Sequence, residues 1–362
     1  MKKALIVLLL LAIAAGGLFA DINVSGSAST GFVVFIEDGG PFFTLYNNQG
    51  WNGSRWGASA NLSGTHSSGK AGGSLNVGYN AAGPTAGGGV VWFKPIDSLT
   101  VNLGNNRVWW KANPPGYAGG NNQIDVGNGA FLEGNPGGGL SWGAGIYTDR
   151  DGFPAALGGF ADARYGGFVK YNAGIVEVGA NAIYNGGHWG DNKNNGNIDA
   201  AVGVGTNIAG IGLSVNGVAF GLQDLTGSGE LVVGPKANFS FGDLSAELGA
   251  EVWIPVSGQK LGVGVGVNVG YPITSAASLT LDALFSLNNA LEDRTAPYDY
   301  RAGQAFTMGY SDGTTSSLNV NPMLEVALAS GATWRIGYNF MTNVGGESKM
   351  HNALYTAFRV GF

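Results

Sequence analysis

Apolar and polar residues alternate along most of this chain, and this period of two most constrains what the chain can fold into. In one clear example, Leu244 and Leu248 share an apolar face, while Ser245 and Gly249 share the opposite face. Because successive side chains of a β-strand point to opposite faces of a sheet, each such run predicts a strand with one apolar face. About seventeen runs of this kind occur, and helical periodicity is almost absent after the N-terminal segment, so an all-β fold is expected.

The second face of these strands is small and polar, made mainly of Gly, Ser, Asn and Thr with scattered charges. Glycine accounts for 65 of 362 residues. Charged residues make up 12% of the chain, about half the share found in ordinary soluble proteins. Disorder is not expected, because 44% of the residues are hydrophobic and 11% are aromatic. An apolar face opposite a small polar face suits a sheet wrapped around a water-filled lumen, with the apolar face toward lipid.

The N-terminus has the pattern of a cleaved signal peptide. Lys2 and Lys3 precede an apolar run at residues 4–15, and a small residue, Ala20, marks the predicted cut. The run is shorter than the roughly 20 residues that a membrane-spanning helix needs. We therefore predict a signal peptide at residues 1–20 and a transmembrane antiparallel β-barrel at residues 21–362.

The number of strands follows from the spacing of runs and turns. Sixteen strands give about 21 residues for each strand and its connection, which matches spanning strands of roughly 9–11 residues. The pattern predicts long outer connections at residues 37–54, 105–139, 185–197, 288–315 and 342–350. Counting from the two chain ends gives conflicting orientations between residues 105 and 148, so fourteen and eighteen strands remain open. Aromatic residues near strand ends are expected on the apolar face: Tyr79, Trp92, Trp253, Tyr271 and Trp334.

The last eleven residues, 352–362, alternate cleanly and end on an aromatic residue. This ending resembles the C-terminal strand of bacterial outer-membrane β-barrel proteins. The resemblance implies that Tyr355, Phe358, Val360 and Phe362 act as an assembly signal for the barrel-assembly machinery. It also implies residence in outer-membrane lipid, in the cell outer membrane of a double-membraned bacterium.

Together with the signal peptide and the alternating strands, residues 92–104 make the chain similar to the bacterial general porins, through their strand–Pro-turn–strand pattern. In that family a long loop folds into the lumen, and acidic loop residues face basic wall residues across the constriction. The resemblance places the inward-folded loop at residues 105–139. The pore-lining or constriction candidates are Arg55, Lys70, Arg107, Asp125, Glu133 and Arg335. It further implies passive diffusion of small polar solutes and a homotrimer.

Other kinds of function find little support in the residues. No enzyme, cofactor or metal site is expected, since no catalytic set is identifiable and the chain has no cysteine. The string at residues 191–199 has oxygen ligands spaced like a calcium loop, but Lys193 occupies a ligand position. No basic cluster points to nucleic acid. Two alternatives remain: a non-channel barrel acting as an adhesin or structural envelope protein, and a soluble, secreted Gly-rich β-protein.

Overall fold

The computed structural model of the chain describes residues 21–37, 40–46, 57–80, 83–105, 128–147, 164–184, 198–222, 230–254, 261–287, 316–343 and 350–361. The predicted signal peptide lies outside these residues, as do the centres of several predicted connections. All long regular elements in the described part are β-strands, which confirms the all-β prediction. Among these residues there is no helix long and apolar enough to cross a membrane.

Nineteen strands follow one another in chain order in the described part of the chain. They are β1 (Asp21–Glu37), β2 (Gly40–Tyr46), β3 (Gly57–Thr65), β4 (Ala71–Asn80), β5 (Gly83–Ile96), β6 (Leu99–Asn105), β7 (Asn128–Gly137), β8 (Leu140–Tyr147), β9 (Arg164–Asn172), β10 (Val176–Tyr184), β11 (Ile198–Ile208), β12 (Ile211–Phe220), β13 (Glu230–Phe241), β14 (Leu244–Ile254), β15 (Gly262–Thr274), β16 (Ala277–Leu287), β17 (Ser316–Ala329), β18 (Ala332–Asn343) and β19 (Met350–Gly361).

These strands form one antiparallel sheet that returns to its starting strand. From β3 onward each strand pairs with the next, and β19 pairs with β1 from Ser27↔Gly361 to Ile36↔Asn352. The first half of β1 pairs with β3 and its second half pairs with β2. Since β2 and β3 follow one another along the same side of β1, they occupy one position in the ring. The described part of the chain therefore forms a barrel of eighteen strands, and the predicted count of sixteen is wrong.

The miscount has a local cause in β7. This strand lies inside the connection predicted at residues 105–139. The predicted connection therefore extends too far at its C-terminal end. The sequence of β7, N-G-A-F-L-E-G-N-P-G, is rich in residues that usually mark turns, and its pairing with β8 is irregular between Gly134 and Gly137. Once β7 is placed, the conflict between the two counts of orientation disappears.

The two ends of the barrel differ in the length of their connections. At one end, here called the turn end, strands are joined by segments such as 97–98, 138–139, 209–210, 242–243 and 330–331. At the other end, the loop end, lie longer connections such as 185–197 and 288–315. The start of β1 and the end of β19 both lie at the turn end. Asp21 pairs there with Thr65, and the Gly361 amide donates to the Gly331 carbonyl over 2.6 Å.

The two faces of the sheet separate apolar from polar side chains, as the alternation predicts. Along β11, Asp199, Ala201 and Gly203 are buried on the inner face, whereas Val202 and Val204 are 63% and 44% exposed on the outer face. The same outward exposure recurs at Val91, Val169, Val215, Leu248 and Leu281. A soluble β-protein would bury this apolar face, so the barrel does not support the soluble alternative.

The prediction for the strand-end aromatic residues is only partly right. Tyr271 and Trp334 lie on the outer face, and the Trp334 ring stacks on Phe358 with centroids 6.2 Å apart. Trp92 lies instead on the inner face, where its strand position is opposite Gly72. Val90 and Val91 precede Trp92, so a run of apolar residues left the period ambiguous there. The position of Trp253, opposite Gly262 in the register, also belongs to the inner face.

Candidate pore wall

Charged side chains of the inner wall are paired between neighbouring strands. Lys170 Nζ of β9 lies 2.8 Å from Glu177 Oε1 of β10. Lys236 Nζ of β13 lies 2.6 Å from Glu247 Oε2 of β14. Nearer the C-terminus, Arg335 of β18 donates a hydrogen bond to Glu325 of β17, which is directly opposite in the register. Three basic groups of the described wall are thus neutralised locally by a carboxylate on the adjacent strand.

The pair between Lys236 and Glu247 is the most buried of these. Its side chains are only 5% and 4% exposed, compared with 29% and 23% for Lys170 and Glu177. Both charges of this pair are therefore almost wholly removed from water. A buried ion pair is a poor source of net stability, but removing one partner leaves a charge in a poorly hydrated site.

A row of polar side chains crosses four neighbouring strands near the middle of the wall. Glu247 is opposite Asn268, Asn268 is opposite Asp282, and Asp282 is opposite Asn321. The Asn268 amide donates to Asp282, and the Tyr355 hydroxyl of β19 donates to Asn321 Oδ1 over 3.0 Å. We call Glu247, Asn268, Asp282 and Asn321 the polar row. The alternation puts one polar residue on each strand, and the register aligns these residues into one band.

Large side chains of the inner wall lie over glycines of the neighbouring strand. A Cβ atom placed on Gly337 would come within 2.8 Å of the Tyr355 ring, and one on Gly166 within 2.5 Å of Ile183 Cγ1. In each case the glycine is directly opposite the large residue in the register. The inner-face pairs of this kind in the described residues are Trp92 over Gly72, Phe168 over Gly143, Ile183 over Gly166, Asn216 over Gly234, Asn238 over Gly212 and Tyr355 over Gly337.

We call these pairs glycine seats, since the missing side chain of the glycine leaves the space that the larger one occupies. Trp142 and Gly134 form the same arrangement on the outer face. Cross-strand packing of an aromatic ring on glycine covers backbone that glycine alone would leave bare. The seats also explain part of the high glycine content of the chain, which composition alone could not assign to a purpose.

Several inner-wall amides have at least one side-chain atom without a hydrogen bond inside the protein. Asn61, Asn102, Asn181 and Asn216 each have a buried side-chain atom that makes no hydrogen bond within the protein. Buried polar atoms of this kind are normally satisfied by water. Their position on the inner face therefore fits a hydrated interior.

The structure places only some of the predicted pore-lining residues on the wall. Arg335 lies on the inner face and is paired with Glu325. Glu133 lies within β7, between Thr100 and Gly143 in the register, and so belongs to the wall and not to a loop. Lys70 lies in a turn at the turn end, 3.7 Å from Asp97, with both side chains largely exposed.

The remaining predicted residues, Arg55, Arg107 and Asp125, lie outside the described residues, as do residues 106–127 of the predicted inward loop. The acid–base contacts described above join residues that our sequence reasoning did not pair, because the register between neighbouring strands decides them.

The C-terminal residues proposed as an assembly signal divide between the two faces. Phe358 and Val360 are exposed on the outer face, whereas Tyr355 is 3% exposed on the inner face. Phe362 lies outside the described residues. The strand itself is confirmed as β19, which joins the two edges of the sheet.

Sequence reasoning missed a group of apolar residues on the inner face. Phe131, Val218, Val232 and Met323 are each at most 4% exposed. The Phe131 ring stacks on Phe168 with centroids 6.3 Å apart. Where a strand is apolar on both faces, apolar and polar residues do not alternate. The unbroken apolar run was then the sequence signal for these buried inner-face residues.

No group of metal-ligating side chains is present in the described part of the chain. Asp199, the last residue of the calcium-like string, is 6% exposed in β11, and its Oδ1 accepts a 2.8 Å hydrogen bond from the Gly221 amide. That carboxylate therefore holds the backbone after β12.

No protein-family model and no curated protein matches this chain. Solved structures do. The outer membrane protein OpdK from Pseudomonas aeruginosa is 10% identical with a TM-score of 0.58, over 96% of this chain and 100% of that one. OpdF of the same organism, solved with glucuronate, is 12% identical with a TM-score of 0.58, over 95% and 99%.

An anion-selective porin from Comamonas acidovorans is 13% identical with a TM-score of 0.52, over 94% of this chain and 99% of that one. At such low identity the likeness defines the fold and does not carry over ligands. The chain has the fold of the bacterial outer-membrane porins: an antiparallel barrel with an apolar outer face and a polar inner wall.

Proposed function

We propose that this protein is an outer-membrane porin, a water-filled channel for passive diffusion of small hydrophilic solutes. The observation that carries the proposal is the separation of the two faces of the eighteen-stranded ring. Hydrocarbon can solvate the outer face, and the ring leaves no unpaired strand edge for lipid to meet. The inner wall carries amides, small residues and the partly exposed Lys170–Glu177 and Arg335–Glu325 pairs, which can exchange hydrogen bonds with water and solutes.

No catalytic step is part of the proposal. A polar-lined tube lets a solute keep its hydration while it crosses the hydrocarbon, and selectivity follows from the narrowest diameter and the charge around it. The inward-folded loop remains part of the proposal for residues 106–127, which include Asp125, as do the roles of Arg55 and Arg107. Glu133 and Arg335 enter it as wall residues.

Several further features follow from the fold by analogy. The proposal includes a cleaved signal peptide at residues 1–20 and insertion into the outer membrane of a double-membraned bacterium. It also includes delivery by the barrel-assembly machinery, contact with outer-membrane lipid, and a homotrimer. Nothing in the described residues favours the adhesin or structural alternative over a channel.

The test is single-channel conductance of the purified, folded protein in a planar lipid bilayer. We expect stepwise openings with a linear current–voltage relation near zero voltage. A gel run with and without boiling reports in parallel whether the barrel is folded, since folded barrels migrate differently. A folded, heat-modifiable protein that inserts into the bilayer without conducting would overturn the porin and leave only the barrel.

A further inference from the structure

The inner wall is not equally exposed along its height. Farther from the turn end, Asn216, Glu247 and Asn321 are at most 5% exposed. Close to the turn end, several inner-face side chains are exposed: Asn172, Asn207, Asn238, Ser245 and Arg359. We call this group the turn-end mouth. Water and ions can reach these side chains, and a solute that approaches the barrel from the turn end meets them first.

Arg359 is the charged residue of the turn-end mouth. It lies on the inner face of β19, opposite Thr333 of β18 and Ser29 of β1 in the register. No carboxylate of the described residues forms an ion pair with it. A guanidinium group stays protonated throughout the physiological pH range, so this position carries a permanent positive charge.

The charge of Arg359 adds to a neighbouring ion pair that is already neutral. Arg335 is opposite Ala357, so Arg335 and Arg359 are diagonal neighbours on the same face. The Cα atoms of such neighbours are about 7–8 Å apart. Glu325 supplies one carboxylate beside these two guanidinium groups, and it bonds to Arg335. The side chains of Arg335 and Glu325 are 20% and 29% exposed, so a water-accessible cluster with one excess positive charge results.

Lys94 is the other basic side chain of the described wall that has no carboxylate in contact. Its Nζ atom lies 5.7 Å from the centroid of the Trp92 ring, and the face of an aromatic ring attracts a cation. Lys94 is also half-buried, whereas Arg359 is exposed. Arg359 is therefore better placed to act on ions in the water of the turn-end mouth.

We propose that Arg359 makes the turn-end mouth favour small anions over small cations, which makes it a specificity-determining residue. The inference rests on the proposed porin function and names the charge class of solute that enters most readily from the turn end. Arg359 needs no direct contact with the solute, because a fixed charge in a cleft raises the local concentration of ions of opposite sign.

The experiment measures the reversal potential of the refolded protein in a planar bilayer across a KCl gradient, at low ionic strength. The reversal potential gives the permeability ratio of chloride to potassium. We expect Arg359→Gln to lower this ratio about twofold, the effect of one unit charge at roughly 10 Å in water. Arg359→Glu should lower it further, and Arg359→Lys should leave it unchanged because the charge is kept. The shift caused by Arg359→Gln should shrink at high salt, because salt screens the charge.

A second pair of variants tests the same charge without removing the arginine. Thr333 is half-buried and directly opposite Arg359 in the register. Thr333→Glu places a carboxylate beside the guanidinium and should lower the ratio about as much as Arg359→Gln, since the net charge falls equally. Thr333→Gln is the matched control, because it adds a side chain of the same size without the charge, and the ratio should equal that of wild type. If Arg359→Gln does not fold, this pair carries the test.

The outcomes separate the two proposals. A folded wild type that inserts but does not conduct removes the porin itself. Conducting channels with the same permeability ratio in wild type, Arg359→Gln and Arg359→Glu overturn the role of Arg359. Equal shifts in Thr333→Glu and Thr333→Gln, or a shift in Arg359→Gln that high salt does not reduce, also overturn it, because the shape of the mouth and not its charge would then set the ratio.

Discussion

At the scale of single residues, the wall depends on how deeply each charge is buried. Lys236–Glu247 and Lys170–Glu177 have the same chemistry and similar geometry, at 2.6 and 2.8 Å. They differ in exposure: the first pair is almost wholly removed from water. Coulomb attraction and the penalty for an uncompensated charge both grow as water is excluded. The same substitution should therefore have different consequences at the two sites.

We expect Glu247→Gln to destabilise the folded barrel by about 3 kcal/mol, because it leaves the Lys236 ammonium without its carboxylate in a buried site. Glu177→Gln should cost less than about 1 kcal/mol, because water can replace the lost charge around Lys170. Denaturant unfolding in phospholipid, followed by tryptophan fluorescence, measures both. Equal losses at the two sites would contradict the role given to burial.

At the scale of elements, successive side chains of each strand point alternately toward lipid and toward the lumen. In β16, Leu281 is 39% exposed on the outer face, and Thr280 lies beside it on the inner face. Both are well inside the strand, away from its ends. A one-residue error in the assignment of faces would exchange their environments, so neighbouring substitutions test it directly.

Leu281→Arg should destabilise the barrel in a bilayer by about 2–4 kcal/mol, the range for a basic residue facing hydrocarbon near the midplane. Thr280→Arg introduces the same side chain one position away, toward water, and should cost much less. The yield of heat-modifiable barrel after refolding into vesicles and the free energy of unfolding both report the difference. Greater damage from Thr280→Arg would mean that the faces are reversed.

How much the sequence could predict also depends on the element. For β14 and β15 the alternation indicated most of each strand and its two faces, since most positions are either plainly apolar or plainly polar or small. For β7 it failed, because glycine, asparagine and proline inside a strand carry the same signal as a turn. The sequence also did not reveal that β2 and β3 are two separate strands, because together they occupy one position in the ring.

The candidate site was harder to predict than the strands. Arg335 lies on the inner face, but its partner Glu325 depends on the register between β17 and β18. The same holds for Lys236 with Glu247. The glycine seats require two strands at once: neither Gly337 nor Tyr355 is distinctive until the register sets them opposite each other. Properties of one strand can be read from sequence, whereas properties of a pair of strands follow from pairing.

At the scale of the whole molecule, the barrel has a direction. The short turns, the start of β1 and the end of β19 lie at the turn end, and the longer connections lie at the loop end. In outer-membrane barrels short turns face the periplasm and long loops face the outside. A chain inserted from the periplasm then leaves its termini on the side where it arrived, and only connections between strands must cross the membrane.

This orientation predicts the outcome of a labelling experiment, for which the chain is well suited because it contains no cysteine. Leu222, just beyond β12 at the loop end, and Asp243, in the turn between β13 and β14, are both exposed and lie near opposite ends of β13. In intact cells a membrane-impermeant maleimide larger than the pore should react with Leu222→Cys and not with Asp243→Cys. After the outer membrane is permeabilised, both should react. Reaction of Asp243→Cys alone in intact cells would reverse the barrel, and no reaction of either until permeabilisation would place the protein away from the cell surface.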